Sequence, residues 1–173
     1  RLVAQAMSEG LGQTIVVENK AGAGGTIGAD SVAKAMPDGY TVLIGITQII
    51  QAPSLVSKLP YDVFKDLAPV TQIALSTIVL VVPEQQPIKS VKELIDSAKA
   101  NPGKPYGTFG NATTSHLYGE LLKKNAGIDM THINYNGSAP ALTDVIAGRV
   151  PLMFDIWHSA KRYVGSGGLK LIA

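Results

Sequence analysis

The chain has 173 residues, 46% of them apolar and 16% charged, with a formal charge of +2 and no cysteine. That balance describes a folded globular protein with room for a sizeable core, in one mid-sized domain or two small ones. It excludes a disulfide framework and thiolate metal sites, and the scattered basic residues make no aromatic-interleaved stripe of the kind that binds nucleic acid.

Arg1 to Gly12 reads as an amphipathic helix already under way, with Leu2, Val3, Ala6, Met7 and Leu11 on one side. With no initiator Met and no basic-then-apolar leader in front of it, the chain is expected to be a piece of a longer mature protein. No apolar run approaches the roughly 20 residues that span a bilayer, so direct membrane insertion is not expected. Thr14 to Glu18 reads as a strand, followed by a Gly-rich loop at Ala21 to Gly25 and a helix from about Thr26 to Ala35. Met36-Pro37-Asp38-Gly39 is a strong turn signal, and Tyr40 to Ile46 is a nearly all-apolar run expected as a strand buried on both faces. Such βαβ alternation predicts a parallel sheet with right-handed crossovers.

Residues 51–68 break the pattern with Pro53 and Pro60, and two extended runs follow, Val70 to Ile73 and Thr77 to Val82. Ser90-Val91-Lys92-Glu93 is a capping box in which the serine caps the Glu93 N–H and the glutamate reaches back to the serine N–H. The helix it opens stops at Asn101-Pro102-Gly103. Then comes Tyr106-Gly-Thr-Phe-Gly-Asn-Ala-Thr-Thr-Ser-His116, a Gly-punctuated strand leading into a helix whose start is crowded with hydroxyls. A strand at Met130 to Tyr135, a helix from about Ala139 to Ala147, a strand at Val150 to Ile156 and a last strand at Leu169 to Ile172 complete the order. Two α/β units result, 1–76 and 77–173, joined by extended segments near 68–82 of the kind that let two lobes close over a ligand.

Helix N-termini hold anions through unpaired amides and a partial positive charge. The Gly110 to Ser115 stretch therefore reads either as an ordinary capped βα turn or as an anion cradle. Asn134-Tyr-Asn-Gly-Ser-Ala-Pro140 repeats the same logic, strand then Gly turn then helix, and with only Arg1, Arg149 and Arg162 available, anion recognition has to rely on amides and hydroxyls. Asp155 ends a strand at the edge where ligands of open α/β sheets collect, and it serves either there or as the N-cap of the turn that follows. The loop Gly22 to Gly28 mimics a dinucleotide fingerprint, but its glycine spacing is one residue too long and no acidic residue ends the next strand. Ser115 and His116 are helix neighbours pointing about 100° apart and no G-x-S-x-G elbow is present, so no catalytic triad is expected. His132 and His158 are isolated, no metal-ligand spacing occurs, and no cofactor is expected.

Six motifs in order and spacing carry a resemblance: Glu18-Asn-Lys-Ala-Gly-Ala-Gly-Gly25, Pro37-Asp-Gly-Tyr-Thr41, Leu59-Pro-Tyr-Asp62, Gly110-Asn-Ala-Thr-Thr-Ser-His-Leu117, Ala139-Pro-Ala-Leu-Thr-Asp144 and Met153-Phe-Asp155. Together they closely resemble the Bug (tripartite tricarboxylate transporter) family of periplasmic solute-binding proteins over essentially the whole chain. The resemblance implies a two-lobed Venus-flytrap fold of the type II periplasmic-binding class and a non-catalytic receptor that captures a small carboxylated solute for membrane transporter subunits. Carried over residue by residue, it implies ligand contacts at Thr47, Gly110, Ala112, Thr113, Ser115, Tyr135, Asn136, Gly137 and Asp155, with Asp155 accepting from any ligand amine or hydroxyl. The family's leading strand with its Pro-Gly-Gly-type loop, and its C-terminal return to the first lobe, have no counterpart in the sequence. The first lobe is therefore expected to be incomplete, and the chain to bind ligand weakly, not at all, or with another chain completing the lobe. The alternative from a different class is the ligand-sensing effector domain of a transcriptional regulator with the same fold.

Overall fold

The computed structural model describes residues 1–173. Its centre is one five-stranded sheet in the order β3-β2-β4-β1-β5. The strands are β1 (Ile78–Pro83), β2 (Lys104–Thr108), β3 (Met130–Asn134), β4 (Met153–Ile156) and β5 (Leu169–Leu171). β2 lies parallel to both β3 and β4, while β1 runs antiparallel to β4 and β5. The all-parallel expectation is thus corrected to a mixed sheet. β1 alone runs against the direction of its neighbours β4 and β5.

Alternation along β1 and β4 divides the core in two, because successive side chains leave opposite faces of a strand. Leu80, Val82, Leu152, Phe154 and Tyr106 meet α4 (Val91–Ala100) and α5 (Thr114–Ala126) on one face. Val79, Val81 and Met153 meet α6 (Ser138–Ile146) and α7 (Trp157–Gly165) on the other. β1 is buried from Val79 to Pro83, which is why it reads as an unbroken apolar run.

α4 starts as its sequence predicts, with Ser90 Oγ accepting the Glu93 N–H at 3.2 Å. The returning half of the box lands one residue earlier than expected, since Glu93 Oε2 accepts the Lys89 N–H at 2.8 Å. Replacing Ser90 with alanine is expected to cost about 1 kcal/mol, measurable as a small fall in thermal midpoint.

The first 77 residues contain α1 (Leu2–Leu11), a 3-10 turn at Ala23–Gly25, α2 (Thr26–Ala33) and α3 (Gln48–Leu55). α2 and α3 gather with the segments that follow them around a small cluster of Ala29, Tyr61 and Val63, with Leu43 and Leu67 against it. Three expected strands fail here. Thr14 to Glu18, Tyr40 to Ile46 and Val70 to Ile73 join no ladder. Far from being covered on both faces, Tyr40, Val42, Ile44 and Ile46 are 93, 57, 59 and 60% exposed. Apolar content alone makes no strand: the backbone needs a partner row of amides and carbonyls, and these runs pair with no strand of this chain. The region read as irregular holds α3 instead, in which Pro53 forgoes its amide bond without ending the helix.

Candidate functional site

β2, β3 and β4 run parallel, so their carboxyl ends open on one edge, and the loops leaving them converge there. The Phe109–Thr113 loop leaves β2 and enters α5 with Thr113 at the N-cap, yet no side chain caps that helix. Its hydroxyls work elsewhere. Thr113 Oγ1 donates to the Gly110 carbonyl at 2.7 Å, and Ser115 Oγ donates to the Phe154 carbonyl, tying the helix start to β4. The capped-turn expectation is therefore corrected: the first amides of α5 have no side-chain partner.

α6 begins the same way. Gly137 (φ 108°) is its N-cap, no side chain caps it, and Ser138 Oγ donates to Asp155 Oδ1 at 2.6 Å. The Gly137 N–H donates to the Phe109 carbonyl at 3.1 Å, which sets the two loops side by side. Tyr135 gives its hydroxyl to Asp144 Oδ2 at 2.7 Å and packs its ring against the α6–α7 side of the core, and Asn136 is exposed beside it.

Asp155 lies under these loops and is wholly buried. Its Oδ1 is held by Ser138, its Oδ2 has no hydrogen-bond partner, and the N-cap position of α7 is Ile156, with no side chain capping the helix, so Asp155 is not its N-cap. Burial pushes its carboxyl above the ordinary aspartate range, and the Ser138 hydroxyl offsets this only in part. A buried carboxylate oxygen with no donor is costly, and such groups are kept where a guest supplies the donor.

The first 77 residues approach from the other side. Gly24 (φ 61°) sits against Gly110 and Asn111, where any Cβ would lie 2.7 Å from the Asn111 carbonyl oxygen and 2.5 Å from Gln48 Nε2. The Gly-rich loop is thus a contact surface as well as a tight turn. Thr114 Oγ1 donates to Gln51 Oε1 at 3.3 Å, and Thr47 is exposed at the start of α3. A cavity of about 370 Å³ opens at this junction, lined by Leu55, Val56, Ser57, Asn111, Ala112 and His116. The structure therefore brings Gly110, Ala112, Thr113, Ser115, Gly137 and Asp155 to one edge, while Thr47 lies exposed at the start of α3, the helix whose Gln51 meets Thr114. Sequence reasoning passed over Gly24 and the buried Gln48; the latter's signal was a polar residue set among Ile46, Ile49 and Ile50. No group of three metal-ligating side chains forms, and no helix is long and apolar enough to cross a membrane.

A model of the family described as tripartite tricarboxylate transporter family receptor matches residues 1–173. The chain is 40% identical over 165 residues to the UPF0065 protein of the tcbD–tcbE intergenic region of Pseudomonas sp. (strain P51), covering 95% of this chain and 49% of that protein. It superposes on an R. palustris protein solved with adipate at a TM-score of 0.95 and 38% identity, over 100% of this chain and 58% of the other. On MatC from Rhodopseudomonas palustris, solved with bound malate, the TM-score is 0.91 at 31% identity, over 100% of this chain and 60% of the other. The chain spans about half the length of the curated relatives it matches. The architecture is the α/β fold of periplasmic binding proteins.

Proposed function

Since the chain belongs to the tripartite tricarboxylate transporter receptor family, we propose that it serves in the periplasmic, non-catalytic capture of a small carboxylate for the membrane subunits of such a transporter. The observation that carries this reading is the meeting of two helix N-termini without side-chain caps, α5 and α6, over the buried Asp155. Backbone amides in the first turns of α5 and α6 hold the carboxylate, with the Thr113 and Ser115 hydroxyls already committed to fixing the loop and the Gly137 amide committed to Phe109. Asp155 Oδ2 accepts from a hydroxyl or amine elsewhere on the ligand, and Thr47 reaches it from the opposite side. Residues 1–76 and 77–173 act as two lobes that close across the Gly24–Gly110 contact. Two related structures hold adipate and malate, which supports a dicarboxylate of four to six carbons. The regulator alternative has no support in the family matched, which is a receptor family.

Amide chemical shifts test the reading even when affinity is low. The amides of Gly110–Ser115 and Gly137–Ala139 are expected to move saturably with malate or adipate and to stay fixed with the corresponding dimethyl esters. Equal responses to acids and esters, or no response in these loops, would overturn it.

A further inference from the structure

We propose that His116 is a positioning residue for the ligand loop: its imidazole Nδ1 accepts the Ala112 N–H, and the ring of His132, stacked behind it, braces the same loop through Thr108. This rests on the reading of Gly110–Ser115 as the carboxylate loop, but the clamp itself is a matter of geometry. Ala112 stands at φ 56°, in the left-handed region that L-residues other than glycine rarely adopt. A strained residue of this kind persists only when its surroundings over-determine it. Here the Ala112 amide reaches His116 Nδ1 at 3.3 Å, four residues ahead on the first turn of α5.

The two imidazoles lie nearly parallel, 12° apart with centroids at 4.0 Å, and the Tyr106 ring follows at 5.3 Å from His132. His132 Nε2 sits 2.6 Å from Thr108 Oγ1, which itself lies 3.4 Å from the Gly110 carbonyl oxygen. The pair therefore holds the loop twice, at the Gly110 carbonyl and at the Ala112 amide. An acceptor at Nδ1 fixes the His116 proton on Nε2, toward Glu120 Oε1 at 3.9 Å. Protonation of His116 would remove the acceptor, set a cation at the positive end of α5, and place it on a ring whose partner is also an imidazole.

The charged and titratable groups around the pair are Glu120 and Lys123 from α5, His132 from β3 and Tyr106 from β2, while Leu55, Val56 and Ser57 bring no charge from the cavity side. Burial lowers His116, with Glu120 opposing and Lys123 assisting, and burial together with His116 holds His132 down at about 4. The sign follows from depressed folded values: the clamp is fully present above the ordinary histidine range and is lost as pH falls through His116's own titration.

The test has two arms on the whole chain. In the first, nitrogen-15 spectra of the ligand-free protein report the His116 tautomer, and the amides of Ala112 and Thr113 are followed down in pH. An unprotonated Nδ1 and amide shifts that track His116 protonation are expected; an Nδ1–H tautomer, or amides indifferent to that protonation, overturns the clamp. In the second, malate and adipate affinities are measured from pH 7 downward. Affinity is expected to hold through the ordinary histidine range and to fall, by at most about tenfold per pH unit, only as pH drops through His116's lowered titration. His116→Leu is expected to lose affinity at every pH, and His116→Asn, whose amide oxygen reproduces the acceptor, to rescue it without the acid fall. His116→Asn no better than His116→Leu in a folded chain would overturn the proposal. Amides that track His116 in a protein binding neither acid at any pH would support the clamp and overturn the carboxylate reading instead.

Discussion

Gly119→Ala is expected to destabilise the protein by about 3 kcal/mol and to lower its thermal midpoint by ~10 °C. A Cβ at Gly119 would stand 2.1, 2.6 and 2.9 Å from Cε2, Cζ and Cδ2 of Tyr106, far inside van der Waals contact. The ring cannot swing aside, because it is fully buried, its hydroxyl donates to Glu120 Oε1 at 2.7 Å, and His132 flanks it. Nor can α5 lift away freely, since Ser115 is bonded to the Phe154 carbonyl at its start. The better helix propensity of alanine opposes this by only about 1 kcal/mol, so the clash wins. Circular-dichroism melts decide it: an unchanged or raised midpoint would mean that the ring yields. Pairing the change with Tyr106→Leu should recover part of the loss, because residues in contact couple.

Asp155→Asn is expected to separate stability from binding. The folded state favours the protonated aspartic acid, so wild-type stability is at its full value below the unfolded carboxyl range and declines as pH rises through the raised folded value. Asparagine keeps an acceptor for Ser138 but carries no charge, and it should be the more stable protein by ~1 kcal/mol at pH 7, with the gap closing in acid. Urea unfolding at pH 7 and pH 4 measures that gap, and equal gaps would show that ionisation of Asp155 costs nothing. For a ligand that donates a hydroxyl to Oδ2, such as malate, affinity should fall by roughly 10- to 100-fold, while adipate, which has no such donor, should be affected far less. A loss shared equally by both acids would remove the acceptor role.

The half of the fold around the sheet was legible because its signals were local. The Ser90 cap, the Asn101-Pro102-Gly103 stop and the apolar runs of β1 and β4 each mark their element by residue chemistry alone. Strand direction was not legible, because β1 carries the same apolar run whichever way it pairs. Tyr40 to Ile46 failed for the related reason that pairing is a property of the neighbour, and exposure of alternate residues reveals none. Within the site, Gly110 to Ser115 was visible through its glycines and hydroxyls, but the hydroxyls' partners were not. Capping is the prior for Thr and Ser at a helix start, and only tertiary contact with Gly110 and Phe154 diverts them. His116 read as an ordinary helix residue because its partner, His132, is brought beside it only by the β2–β3 pairing.

The antiparallel insertion of β1 decides where the rest of the chain is attached. Ile78 lies opposite Ile156, and the Trp157 N–H donates to the Thr77 carbonyl at 2.9 Å, so the chain passes from its first 77 residues into the sheet at the very edge where the loops converge. A parallel β1 would have put that crossing at the far end of the strands. As built, the first 77 residues are anchored beside the mouth, so the meeting of the Gly24 loop with Gly110 is an intramolecular contact on the same edge that carries Asp155.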